Sequence, residues 1–468
     1  MAISRETRIE RDSLGAIAVP KEAYWGVQTQ RALENYPISG LRTDPALIDA
    51  LAVIKQAASR VFGSLGMLSP EKSDAIDRAA QEVRDGAWDD QIVVDAFQAG
   101  AGTSLHMNVN EVIANRANLL MGEVLGSYAA IHPNDHVNKG QSTNDVIPSA
   151  MRLAALELTE VLDAALEELQ SVLCGKAVQF DRVVKSGRTH LQDAVPIRLG
   201  QEFDAYASAV ARARKNLWAA AEDLKVLGLG GSAVGTGLNT PSAYRRKVIA
   251  ELRILTGHED LSAADDYFEA MQSMAVFTAL SGALRNLAIE LGRIANDLRL
   301  MSSGPRTGLH ELVLPSVQPG SSIMPGKINP SVPEMLNQVC FQVIGCDATI
   351  AAAAQAGQLE LNVMMPVIAH NLLLAQRILA NAVDVFTDRC VEGIEADVER
   401  CKAYSEASVG LATVLNPVIG YAAAAEVVKE AVAKGESIPA LVKAKGLLAE
   451  DRVGRVFSTP ALTEPYTL

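Results

Sequence analysis

Five stretches of this chain carry an alanine- and leucine-rich helical pattern over roughly 20–30 residues each, well beyond the usual helix length. They run from Ala150 to Phe180, Gln201 to Leu227, Ala275 to Met301, Pro333 to Ala356 and Val367 to Val391. In the second, Ala and Leu fill one face, and Arg212, Arg214, Lys215 and Asp223 the other. Helices this long and apolar need partners on several sides. The expectation is an all-α chain built on a bundle of long helices. That bundle is either shared between subunits or one large monomeric bundle, and the length of the apolar faces favours sharing.

The remaining segments read differently. The first forty residues look irregular, punctuated by Pro20, Gly26, Pro37 and Gly40. Helical periodicity takes over from Asp44 to about Val109, and Ser69-Pro70-Glu71 has the form of a helix start. HPNDHVNKGQSTND, from His132 to Asp145, reads as a loop. After about Asp397 the helical patterns shorten, with polar breaks between them.

Charge excludes one class of function. Across 468 residues the formal net charge is -13, so no broad basic footprint for nucleic acid is expected. A dianionic ligand would need a few placed cations in this acidic chain. MAISRETRIERD lacks an apolar core and is not expected to be a secretory signal. The apolar stretch from Val409 to Ala425 is interrupted by Asn416-Pro417, and buried core is expected there rather than a membrane span. Cys174, Cys340, Cys346, Cys390 and Cys401 are odd in number and show no paired spacing, which points to reduced thiols in the cytoplasm.

Three apparent sites fail on chemistry. The Gly-rich run from Gly228 has no clean Gly-x-Gly-x-x-Gly and no preceding β-branched strand, so a tight turn is expected. Gly320 to Lys327 has one residue too many for a phosphate loop, and Ile328 stands where a magnesium-binding hydroxyl belongs. His132 and His136 are four apart, but Pro133, Asn134 and Asp135 between them read as turn, not metal-binding helix. No Cys/His cluster has zinc-ligand spacing.

Small polar clusters remain: Thr103 and Ser104 after Gly100 to Gly102; Ser142, Thr143 and Asn144; Thr189 and His190; and Gly320, Ser321, Ser322, Lys327 and Asn329. Neutral hydroxyl, amide and N–H donors plus one lysine suit a small dianion. The same residue types populate ordinary turns, and composition alone leaves that alternative open.

GSSIMPGKINPSVPE, from Gly320 to Glu334, resembles the signature of the aspartase/fumarase superfamily, Gly-Ser-Ser-x-Met-x-x-Lys-x-Asn. The resemblance extends over nearly the whole chain. YWGVQTQRALENYPISG, AGTSLHMNVNEVIANRA, HPNDHVNKGQSTND, GRTHLQDAVP, GTGLNTP and GQLELNVMMPV fall in the family's order. It implies an all-α, three-domain fold, with domains here over 1–140, 141–396 and 397–468. It also implies a homotetramer with a twenty-helix core, each active site drawing on three subunits. The substrate class is a small dicarboxylate, and the chemistry requires no cofactor.

Carried over by position, the resemblance makes Ser321 the catalytic base, acting as an alkoxide. Thr103, Ser142, Thr143 and Ser322 would hold the enediolate formed when the Cβ proton leaves; Ser104 adjoins Thr103. Thr189, Lys327 and Asn329 would hold the other carboxylate, with Asn144 and His190 near the leaving group. Aspartases and fumarases share this machinery. DAVP at Asp193 to Pro196 and GQLELNVM at Gly357 to Met364 resemble the aspartase branch, while YWGVQTQR leans to fumarase. Deamination of aspartate is therefore expected; hydration of fumarate, a substituted aspartate, or a non-catalytic structural role are the alternatives. Two residues depart from the family: His106, where asparagine is usual, and Met365, where glutamate or lysine is usual. Either neutral drift or a shifted substrate would account for them.

Overall fold

The computed structural model describes residues 6–465. A hairpin comes first, β1 (Thr7–Asp12) with β2 (Gly15–Pro20), then α1 (Val27–Asn35), α2 (Pro45–Ser64), α3 (Pro70–Arg84), α4 (Thr103–Leu120) and α5 (Thr143–Gln179). A second hairpin, β3 (Val184–Thr189) with β4 (Gln192–Arg198), leads into α6 (Leu199–Ala221). Strands β5 (Val226–Leu227) and β6 (Ser262–Ala263) flank α7 (Tyr244–Thr256), and α8 (Tyr267–Gln272) precedes α9 (Ala275–Met301). Next come β7 (Leu312–Val313), α10 (Ser331–Ala354), α11 (Met365–Phe386) and β8 (Glu395–Ala396). Short helices close the chain: α12 (Val398–Ala407), α13 (Asn416–Ile419), α14 (Tyr421–Lys434), α15 (Ile438–Ala444), α16 (Glu450–Val456) and α17 (Thr459–Thr463). Each sheet among the described residues has only two strands, so the chain is all-α in architecture.

The helices start where their sequences supply a cap. Asp44 accepts the Ala46 N–H at 2.9 Å and Pro45 fills the first turn of α2. Ser69 and Pro70 do the same for α3, at the start expected for it. The long helices then persist because one stripe is apolar throughout. On α9, Phe277, Leu280, Leu284, Leu287, Leu291, Ile294 and Leu298 are buried at intervals of three or four residues. Each fully buried side chain of this size contributes about 1.5–3 kcal/mol.

Compact packing divides the chain into two units. One comprises 1–163, 215–286 and 341–379; the other 164–214, 287–340 and 380–468. The divisions fall inside α5, α6, α9, α10 and α11. Within the second unit, Leu411, Leu415, Val427, Ile438, Leu441 and Val442 form a core of their own, and the Val409 to Ala425 stretch contributes to it. No helix of the described residues is long and apolar enough to cross a membrane.

The N-terminal segment is more ordered than its sequence suggests. Its hairpin is pinned by Arg8, whose guanidinium donates to the carbonyls of Pro20, Ala23 and Trp25 at 2.7–2.9 Å. Glu111 then explains why YWGVQTQ and NEVIANRA occur together. Its buried carboxylate accepts the N–H groups of Gly26, Gln28 and Thr29 and the Thr29 hydroxyl, capping α1 from inside α4. Burial still pushes this carboxyl up, with the same donors opposing.

Candidate active site

Two helix N-termini carry five of the candidate residues. α4 is entered through Ala101 (φ 61°) and Gly102 (φ 86°), both left-handed. Glycine suits position 102, where a Cβ would also press to 3.1 Å from Ile147. This reversal leaves Thr103 exposed at the first turn of α4 and buries Ser104. α5 is capped by Ser142, whose Oγ accepts the Asn144 N–H at 3.2 Å, while its own N–H donates to Asp145 at 2.9 Å. His106 Nδ1 lies 2.8 Å from Thr143 Oγ1, so the two first turns are neighbours. Adjacent helix N-termini with hydroxyls on their first turns form a setting for an anion.

The Gly-rich segment after Gly228 serves this corner. It is a turn, as expected, and the N–H groups of Gly230 and Ser232 donate to Asp145 at 2.9 and 3.1 Å. Burial pushes the Asp145 carboxyl up to about 6, against those donors and the Ser142 N–H. The Ala233 carbonyl from the same turn accepts from Asn144 Nδ2 at 2.8 Å. Behind Thr143 sits Lys55 of α2, fully buried. Its ammonium meets His106 Nε2 at 2.5 Å, Asn138 Oδ1 at 3.0 Å and Gln141 Oε1 at 2.9 Å. Burial draws this lysine down to about 7, with Asp145 opposing. Lys55 and Asp145 were not among the candidates. The available signal was a lysine inside the apolar run ALAVIKQAA. Met365, by contrast, is buried at the start of α11 and reads as core.

Thr189 and His190 stand at the end of a hairpin. β3 and β4 pair with Thr189 opposite Gln192, so His190 and Leu191 form a two-residue turn. Both are left-handed, at φ 55° and 58°. Such turns normally take Asn-Gly, and non-glycine residues there cost about 1–3 kcal/mol each. That strain is held by the strands below. Arg188 donates to Glu311 at 2.8 Å, and Lys185 meets Glu311 and Glu202 at 2.9 Å each. Lys185 and Glu311 are buried. Glu311→Ala would leave Arg188 without its carboxylate and Lys185 with Glu202 alone, and is expected to cost about 3 kcal/mol, read as a lowered urea midpoint. An unchanged midpoint would show that this network does not hold the hairpin.

The signature loop is closed on itself. Gly320 N donates to the Lys327 carbonyl at 3.0 Å, and a Cβ on Gly320 would fall 2.4 Å from that oxygen. Met324-Pro325-Gly326-Lys327 is a type II turn, with Lys327 N donating to Met324 O at 3.3 Å and Gly326 at φ 81°. Asn329 Nδ2 donates to the Gly320 carbonyl at 2.5 Å, so this amide locks the loop. Ser321 Oγ accepts two backbone N–H groups, from Met324 at 2.9 Å and Ile323 at 3.3 Å. Ser322 and Lys327 are exposed beside it.

The structure thus gathers Thr103, Ser104, Ser142, Thr143 and Asn144 at one corner, and Ser321, Ser322, Lys327 and Asn329 on one loop. Among the described residues no hydrogen bond joins that loop to the hairpin tip bearing Thr189 and His190.

Comparison with known proteins gives these clusters a context. Residues 15–345 match a lyase family, and residues 411–464 match the fumarase C C-terminus. An aspartate ammonia-lyase of a Bacillus species is 48% identical over 463 residues, covering 99% of each chain. A class II fumarate hydratase of Halobacterium salinarum is 49% identical over 462 residues, covering 98% of each. The crystal structure of a fumarate lyase:delta crystallin from Brucella melitensis bound to cobalt is similar with a TM-score of 0.95. It is 47% identical, over 98% of this chain and 100% of that one. With the signature loop, the all-helical fold and these full-length similarities in agreement, the chain belongs to the aspartase/fumarase superfamily of lyases.

Proposed function

We propose that this lyase is an aspartate ammonia-lyase, deaminating L-aspartate reversibly to fumarate and ammonia. Ser321, as alkoxide, takes the Cβ proton. The electron pair moves onto the adjacent carboxylate as an enediolate, which Thr103, Ser142, Thr143 and Ser322 stabilise as donors. Collapse of the enediolate forms the carbon–carbon double bond and expels the amine from Cα in an anti elimination. Thr189, Lys327 and Asn329 hold the second carboxylate, and His190 lies near the leaving group. The side chains named supply the acid–base chemistry, and this scheme calls on no cofactor. The sites are read as shared by three subunits of a homotetramer. Supporting this, the long helices leave apolar side chains uncovered, with Phe341 66% and Ile289 52% exposed. Free cysteines, four of them buried, suit a cytoplasmic location.

The aspartase-like flanks, DAVP at Asp193 to Pro196 and GQLELNVM at Gly357 to Met364, carry the choice of ammonia, and the orientation of Asn144 suits it. Its Nδ2 is held by the Ala233 carbonyl at 2.8 Å, which leaves Oδ1 as an acceptor. An ammonium presents donors only and needs such an acceptor. A hydroxyl would instead need a proton delivered as its bond breaks. The second reading is fumarate hydratase, favoured by the 49% identity to the Halobacterium salinarum enzyme. The test follows fumarate absorbance with purified protein, first with L-aspartate and then with L-malate. L-aspartate is expected to be deaminated at least 100-fold more efficiently, roughly 2.7 kcal/mol in transition-state terms. Comparable kcat/KM for malate would move the assignment to hydratase. Activity on neither would direct the search to substituted aspartates, by running fumarate against a panel of amines.

A further inference from the structure

We propose that Lys55 and His106 form a buried relay that fixes the Thr143 hydroxyl as a donor toward the substrate carboxylate. The inference rests on the lyase reading above, and it makes both of them positioning residues, since neither is placed against the substrate.

The direction of each hydrogen bond follows from counting protons. A charged lysine has three N–H donors and no acceptor. Lys55 has three partners, and two of them, Asn138 Oδ1 and Gln141 Oε1, can only accept. The third proton goes to His106 Nε2, at 2.5 Å. A ring nitrogen that accepts carries no proton of its own, so the neutral imidazole has its hydrogen on Nδ1. Burial, and then the charge on Lys55, hold the His106 imidazole well below its ordinary range, which keeps it neutral. Nδ1–H therefore donates to Thr143 Oγ1, at 2.8 Å. With its oxygen occupied from behind, the Thr143 hydroxyl turns its own proton away from His106. It lies on the first turn of α5, next to Ser142, with His106 of α4 against it.

Three groups could disturb this arrangement. Burial draws Lys55 down to about 7; Asp145, on α5, is the one charged group that opposes this and favours the ammonium, so the relay runs in this direction with Lys55 charged, below about pH 7. Tyr244, on α7, is fully buried with its phenol raised by burial, so it stays neutral. His106, on α4, is held neutral by burial and by the Lys55 charge. The ammonium can neither leave nor find a fourth partner without vacating one of the three acceptors. A donor preset in this way requires no rotation of the Thr143 hydroxyl when charge develops on the carboxylate, and the loss of one such donor lowers kcat by about 100-fold or more.

The test uses the intact protein and consumption of fumarate with ammonia and, separately, with water. His106→Leu is expected to lower kcat about 100-fold. His106→Gln is expected to recover to within about tenfold of wild type, because its amide oxygen accepts from Lys55 and its amide N–H donates to Thr143. A role in packing alone would not discriminate in this way. His106→Leu leaves Lys55 with an unpaired contact, so Lys55→Met/His106→Leu is made as well; it should fall no further than His106→Leu. His106→Leu activity within about threefold of wild type, or Gln no better than Leu in protein with wild-type circular dichroism, overturns the relay. Wild-type protein that consumes fumarate with neither partner overturns the lyase reading, and the relay with it.

Discussion

Ser321→Ala is expected to leave folding intact and lower turnover by about 10²–10⁴-fold, the contribution of a positioned base. A serine is a weak base as the hydroxyl, so its usefulness depends on what stabilises the alkoxide. Here Oγ already accepts from Met324 N and Ile323 N within its own loop. Preorganised donors of this kind are each worth about 3 kcal/mol to an oxyanion in a water-excluded site. The donors are fixed because the loop is fixed: the Gly320–Lys327 and Asn329–Gly320 bonds and the type II turn close it independently of the serine side chain. Removing the hydroxyl therefore removes the base without opening the loop, and far-ultraviolet circular dichroism and the unfolding midpoint should match wild type. Ser322 is one residue further along and exposed, and no hydrogen bond among the described residues holds its Oγ. It cannot inherit the two N–H donors. An active Ser321→Ala protein, free of contaminating lyase, would reject the assignment and make Ser322 the next candidate.

The long helices were legible in the sequence because a buried stripe repeats over many turns. Ala275 to Met301 coincides with α9, and Val367 to Val391 differs from α11 in that the helix starts two residues earlier, at Met365, and its last turn, Thr387–Val391, is a π-turn. The two hairpins were not legible, for different reasons. β1 reads TRIERD, and its register is set by what Arg8 grips 12 to 17 residues away, which no local pattern reports. β3–β4 turns through His-Leu in place of a glycine-containing pair and carries a bulge at Gly187, so neither turn signal nor strict alternation is present. The signature loop was readable as a string of residue types, and its geometry explains the string: glycine where backbone approaches, Pro-Gly for the turn, asparagine as the lock. Lys55 and Glu311 escaped notice because burial of a charge is decided by distant elements. Four of the candidates, Ser142 to Asn144 and Thr103, gain their meaning only once α4 and α5 start side by side.

Lys327→Ala is expected to raise KM for the dicarboxylate by about 10–100-fold and to lower kcat as well, since hydrogen bonds to charged groups contribute roughly 1.5–3 kcal/mol. The chain carries a net charge of -13, so bulk electrostatics oppose the approach of a dianion, and a placed cation must compensate locally. Lys327 is suited to this. Its backbone is held at both ends, N–H on Met324 O and carbonyl on Gly320 N, while the side chain is exposed. Among the described residues it forms no ion pair, so its charge is not neutralised by a neighbour, unlike that of Lys185. The loop that positions Ser321 also positions this ammonium, which ties the placement of the carboxylate to that of the base. Losing the charge therefore weakens binding and also loosens the alignment of Cβ with the serine, the reason kcat should fall with it. Lys327→Arg is not expected to rescue either constant, because a planar fork cannot replace a compact point charge at the end of a tight turn. Equal KM values for wild type and Lys327→Ala, measured from initial rates of fumarate formation, would show that the carboxylate is held elsewhere.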